Sequence, residues 1–203
     1  MAQRDRDLRS AVQASQLSIG WSAVAGVAAI TVGLAANTLS LLAYGLDAAV
    51  DAAASGMILL DLRVEVRGGE PPAHRRAERT VGFALLLIGI AVSVQSVRGL
   101  RSGTGPDHTV LGILIAVASC LVLPPLAAWK IRVGRRLKSP ALQGDGLLTG
   151  AGGALAAVSM AGMVLDRVLG WWWADPAAAT VIAVFLVGAG VLILLDRGSH
   201  ART

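Results

Sequence analysis

The sequence predicts an all-α membrane protein with six transmembrane helices and both termini cytoplasmic. Three observations predict it. Of the 203 residues, 55% are hydrophobic and only 15% charged, whereas a soluble domain carries about 25% charged residues. The apolar residues fall in six long runs, each reaching the roughly 20 residues that cross a bilayer. Lysine and arginine collect in alternate connections. Six spans leave too little chain for a further soluble domain, which needs about 50 contiguous residues or more. A soluble enzyme is thereby excluded.

The expected spans are 16–37, 39–61, 80–99, 109–131, 141–165 and 176–195. Residues 1–15 form a cytoplasmic N-terminal segment, 16–196 the six-helix domain and 197–203 a short cytoplasmic tail. The first run follows Arg4, Arg6 and Arg9 as a signal peptide would. It is longer than the 7–15 residues of a cleavable apolar core, however, and five more spans follow. Pro124 and Pro125 should kink the fourth span. Gly150-Ala-Gly-Gly-Ala in the fifth imitates a phosphate loop but has no preceding strand, so close helix packing accounts for it better. Trp171, Trp172 and Trp173 precede the sixth span, where indoles favour the headgroup region. Asp175-Pro176 reads as an N-cap followed by proline at the first helical position.

Orientation follows from the basic residues. With the N-terminus inside, the inner side holds Arg4, Arg6, Arg9, Arg63, Arg67, Arg75, Arg76, Arg79, Lys130, Arg132, Arg135, Arg136, Lys138, Arg197 and Arg202. The outer side holds Arg98, Arg101 and Arg167. This bias explains the net charge of +5 without a nucleic-acid partner. Both termini should therefore be cytoplasmic, and the expected location is the inner (plasma) membrane of a cell.

Acidic residues near the bilayer centre need a reason, because each costs at least ~2.5 kcal/mol there. Asp47 and Asp51 in the second span lie one helical turn apart on one face. At 1.5 Å per residue they sit roughly 18 and 12 Å from the inner edge of a ~30 Å core. Two carboxylates so close repel when both are ionised, which suits a site exchanging metal for protons. The alternative is a protonated pair hydrogen-bonded between helices. A basic partner is not expected, because no Lys or Arg lies deep in any run. Asp145 of the fifth span lies about 6 Å inside the inner edge, close enough to snorkel to water. Asp61, Asp166 and Asp196 are at span ends. His74, His108 and His200 are in loops or the tail, and the single Cys120 lies within a run. No His–Cys zinc site can form in the bilayer, so a cation there would meet mainly oxygen.

Spans two and five overlie at an offset of 101 residues: Thr38 meets Ser139, Leu41 meets Leu142 and Gly45 meets Gly146. The chain resembles the cation diffusion facilitator family of metal/proton exchangers. Asp47-x-x-x-Asp51 matches that family's second-helix ligand pair. Ser139-Pro-Ala-Leu-Gln-Gly-Asp145 is similar to its fifth-helix lead-in, and Gly170-Trp-Trp-Trp-Ala-Asp-Pro176 to its Trp-x-Asp-Pro turn. The resemblance implies a secondary transporter, not an enzyme, that exports a divalent cation (Zn²⁺, Mn²⁺, Fe²⁺ or Co²⁺) in exchange for protons. Asp47 and Asp51 would be metal ligands, and Asp145 would assist at the cytoplasmic entry. No fixed cofactor is implied.

Two departures qualify this. The family's fifth-helix ligand positions are Leu148 and Gly152, which lie at heights matching Asp51 and Asp47 but cannot ligate through their side chains. Asp145, with Thr149 one turn deeper, is the nearest substitute. Family members usually continue into a cytoplasmic dimerising domain, whereas only about eight residues follow the sixth span here. Any homodimer would therefore form through membrane helices. The competing reading is a transport-inactive membrane scaffold or partner subunit with a degenerate metal site.

Overall fold

The computed structural model describes residues 2–66, 75–103 and 110–195. It is built from six helices: α1 (Ala2–Ala35), α2 (Leu39–Val66), α3 (Arg75–Ser102), α4 (Val110–Leu137), α5 (Pro140–Leu169) and α6 (Ala174–Leu195). Each contains a stretch long and apolar enough to cross a membrane, and there is no strand among the described residues. The basic loop with Arg67, the loop with Asp107 and His108, and the tail from Asp196 onward lie outside the described residues.

Large apolar side chains such as Leu87, Leu121 and Leu192 point outward, while the interior is rich in Ala, Gly and Ser. Small residues let helices approach closely where lipid supplies no hydrophobic drive between them. Helix α1 packs chiefly on α2, α4 on α5 and α3 on α6, and the two hairpins α1–α2 and α4–α5 join through α1–α4 and α2–α5 contacts. The α3–α6 pair lies against α2 and α5.

Most helices outrun the apolar runs. Residues 3–15 are helical and continuous with α1, because Leu8 and Ala11 share a face that packs against Leu62, Val133 and Leu142. Helix α4 likewise continues to Leu137 and passes through Pro124 and Pro125 without ending.

The 101-residue offset extends to contacts. Asn37 and Lys138 both take positive φ (53° and 54°) at the hairpin turns. They are followed by Thr38 N–H bonded to Gly33 O (2.9 Å) and Ser139 N–H bonded to Gly134 O (2.9 Å). A Cβ at Gly45 would meet Ile30, and one at Gly146 would meet Ile131; a Cβ at Gly89 would meet Ala183 and Val187, and one at Gly190 would meet Gly82 and Leu86. Every one of these pairs is related by 101. The molecule is therefore two three-helix repeats, and an odd number of spans per repeat inverts the second relative to the first, as in many transporters.

Asp175 departs from its expected role. It lies within the first turn of α6, is almost fully buried, and caps α2 instead. Its carboxylate accepts from Leu39 N–H (2.8 Å), Ser40 N–H (3.3 Å) and the Ser40 hydroxyl. The first-turn donors of α2 have no intrahelical acceptor, so a carboxylate from a neighbouring helix satisfies them. Trp171 and Trp173 stack nearby, 5.2 Å between centroids, with both rings part-exposed.

Candidate functional site

The polar interior lies where α1, α2, α4 and α5 meet. Helical spacing puts Asp47, Asp51 and Ser55 on one face of α2, Ser18 and Ser22 on one face of α1, and Asp145 and Thr149 on one face of α5. All seven are buried. Ser22 Oγ donates to Asp51 Oδ2 at 2.8 Å, and Thr149 Oγ1 lies 3.3 Å from Asp51 Oδ1. Asp51 is thus held on one side by α1 and on the other by α5.

Asp47 differs. Among the described residues no side chain or backbone group hydrogen-bonds its carboxylate. It lines a small cavity with Asp51, Val50, Ala54, Leu85, Leu148, Phe185 and Ala189. The only polar groups in that lining are the two carboxylates. A charge left unpaired in such surroundings is costly, so the position calls for a proton or a cation.

Gly152 and Leu148 stand where the sequence heights placed them. A Cβ at Gly152 would come 3.6 Å from Asp47 Oδ2, and Leu148 lines the cavity. The fifth helix therefore turns its matching positions toward Asp47 and Asp51 but offers no donor atom there from a side chain.

Asp145 does not snorkel. It is buried, and one carboxylate oxygen forms an ion pair of 2.9 Å with Lys130 Nζ while the other accepts from Ser55 Oγ at 2.6 Å. Lys130 is itself wholly buried. This corrects two expectations: a basic residue does lie inside the bundle, and Lys130 does not belong with the loop charges. Its long apolar stem allows this, since the ammonium can sit far from its own backbone. Nζ also donates to Ser18 Oγ (2.8 Å), Ser55 Oγ (2.9 Å) and Thr149 Oγ1 (3.0 Å). Thr149 consequently links the Lys130–Asp145 pair to Asp51. No three His, Cys, Asp or Glu side chains converge on one point among the described residues.

Sequence reasoning missed Lys130, Ser18 and Ser22. A usable signal was present in α1, where Ser15, Ser18 and Ser22 recur at helical spacing within an otherwise apolar run.

Residues 15–199 match the cation efflux transmembrane domain. The chain belongs to the cation efflux family. Similar relatives include Transmembrane protein 163 of Xenopus laevis, 25% identical over 96% of this chain and 69% of its own length. Uncharacterized transporter YdbO of Bacillus subtilis (strain 168) is 24% identical over 99% of this chain and 71% of its own. Uncharacterized transporter sll1263 of Synechocystis is 27% identical over 79% of this chain and 54% of its own. Membership of the cation efflux family, with six spanning helices, makes this a multi-pass membrane protein of a cation-transporting kind.

Proposed function

We propose that the protein exports a divalent metal cation across the plasma membrane in exchange for protons, with the Arg-rich ends of its helices in the cytoplasm. The observation that carries this reading is Asp47: a buried carboxylate with no hydrogen-bond partner among the described residues, one turn from Asp51, facing a cavity that opens between helices. Asp47 and Asp51 are the core ligands. Together they bear two negative charges, which match one divalent ion or two protons, so loaded and unloaded states are equally neutral. Asp145, the third candidate ligand, takes part from the basic side through Lys130 and Thr149. The chemistry of the donors favours oxygen-seeking ions such as Mn²⁺ alongside Zn²⁺, Fe²⁺ and Co²⁺. Water, backbone oxygen or the nearby Thr149 hydroxyl completes the shell, since Leu148 and Gly152 bring no ligand atom in their side chains.

The test is uptake of Zn²⁺, Mn²⁺, Fe²⁺ and Co²⁺ into proteoliposomes under an imposed pH gradient. The expected result is gradient-driven uptake that vanishes in Asp47→Asn and in Asp51→Asn while both variants remain folded in the membrane. Because carboxylates must lose protons to bind metal, apparent affinity should fall as pH falls, with up to roughly two protons released per ion. Absence of flux for every ion with well-folded protein would overturn the reading and favour a scaffold or partner-subunit role.

A further inference from the structure

Lys130 is surrounded as an inorganic cation would be. Four oxygens lie 2.8–3.0 Å from its Nζ: Ser18 Oγ from α1, Ser55 Oγ from α2, and Thr149 Oγ1 and Asp145 Oδ2 from α5. An ammonium has three N–H groups, so four close oxygens exceed what directed hydrogen bonding alone would fill. The hydroxyls are turned to suit a positive charge. Ser55 spends its own proton on Asp145 Oδ1 (2.6 Å), and Thr149 has Asp145 O (3.0 Å) and Asp51 Oδ1 (3.3 Å) as acceptors. Their lone pairs are left for Nζ. In the repeat-related place, 101 residues earlier, stand Ala29 for Lys130 and Tyr44 for Asp145. The other half of the molecule therefore has neither the carboxylate nor the ammonium.

We propose that Ser18, Ser55, Asp145 and Thr149 form a second cation site, of the all-oxygen class that takes alkali or alkaline-earth ions, and that Lys130 fills it with a tethered ammonium. The lysine is a built-in cation. It cancels Asp145, keeps that carboxylate from drawing a free ion, and leaves Asp47 and Asp51 as the carboxylates without an ion-pair partner beside the cavity, among the described residues. That last consequence rests on the transport reading above. The existence of the site does not.

Removing the ammonium should turn the site into one that binds a free ion. The experiment is thermal unfolding of the purified full chain in detergent, followed by tryptophan fluorescence, in NaCl, KCl or MgCl₂ against choline chloride at matched ionic strength. Wild type and Lys130→Met/Asp145→Asn should be indifferent to Na⁺ and K⁺ and should share any small Mg²⁺ response that Asp47 and Asp51 give. Lys130→Met should melt several degrees lower than wild type in choline and recover saturably with at least one of Na⁺, K⁺ or Mg²⁺. Lys130→Gln, which keeps donors without the charge, carries the same test should Lys130→Met not fold. A folded single variant that ignores every cation would overturn the proposal, leaving Lys130–Asp145 an ordinary ion pair. So would an equal response in all three proteins. Failure of both single variants to fold in any salt, with the double variant folded, also overturns it, because no free ion could then replace the ammonium. This readout needs no flux: a silent transporter with cation-rescued Lys130→Met refutes the transport reading alone, and an active transporter without rescue refutes the tethered cation alone.

Discussion

Helices α1–α3 and α4–α6 touch their neighbours through the same positions shifted by 101 residues, yet their polar residues are dealt differently. Where α2 carries Asp47 and Asp51, α5 carries Leu148 and Gly152; where α5 carries Asp145 and α4 Lys130, α2 carries Tyr44 and α1 Ala29. The shared positions are glycines and turns at which backbones meet, such as Gly45 against Ile30 and Gly146 against Ile131. Those contacts tolerate no side chain, so both halves keep them. The differing positions are inside the bundle: Asp47, Asp51, Asp145 and Lys130 stand in the polar interior, whereas Tyr44 and Ala29 belong to the apolar core. One half supplies carboxylates that have no ion-pair partner among the described residues, and the other a paired, self-neutralised set. A symmetric frame thus holds an asymmetric site.

The comparison breaks most readily at the paired set. In choline salts Lys130→Met should lose about 3–5 kcal/mol of stability, because it strands a buried carboxylate, while Lys130→Met/Asp145→Asn should stay near wild type. Equilibrium unfolding in mixed micelles distinguishes them, and a single variant as stable as the double would show that the pair is not a unit.

The frame itself is probed by glycine. Gly45→Ala and Gly146→Ala should each cost about 1–3 kcal/mol through overpacking. Gly45 should be the more sensitive of the two, since its nearest neighbour is the Ile30 backbone nitrogen at 2.8 Å rather than a side chain that can turn. Gly20→Ala, where nothing lies within 4 Å, is the control. The same unfolding assay applies, and unequal costs of several-fold would mean the halves are less alike than their contacts suggest.

Completing the site should sharpen the comparison. A Cβ at Gly152 meets Asp47 Oδ2 at 3.6 Å and Leu123 at 3.7 Å, which is ordinary contact. Leu148→His with Gly152→Asp should therefore be accommodated and raise Zn²⁺ affinity at least tenfold, or about 1.4 kcal/mol. Calorimetric titration reads this directly, and unchanged affinity would show that α5 does not present these positions to the ion.

The smallest effects concern the caps. Helix α5 is capped by its own Ser139, which accepts from Leu142 N–H at 3.3 Å, whereas α2 relies on Asp175 of α6. Ser139→Ala should cost about 1 kcal/mol. Asp175→Ala should cost about as much or somewhat more, and amide exchange should rise at Leu39 and Ser40, far away in sequence.

Much of this was legible in the residues. The six spans, the Asp47–Asp51 face and the heights of Leu148 and Gly152 all follow from periodicity and rise per residue. Lys130 was not legible, because it stands one residue from the end of an apolar run and counts there as a loop charge. Only the continuation of α4 to Leu137 places it inside the bundle. Ser18 and Ser22 were overlooked because hydroxyls scarcely alter the hydropathy of a span. Asp175 was read as serving its own helix, since a local motif cannot show that the nearest orphaned N–H groups belong to another.

By itself, then, the sequence determined how many helices are long and apolar enough to cross the membrane and that Asp47 and Asp51 share one helical face. These are consequences of local hydrophobicity and of a 3.6-residue turn. The tertiary structure alone decided who partners whom: Lys130 with Ser18, 112 residues away; Asp175 with Leu39, 136 residues away; and Asp47 with no hydrogen-bonding group among the described residues. In a low-dielectric interior the fate of a charge depends on what lies within about 4 Å, and that distance is set by packing rather than by position along the chain.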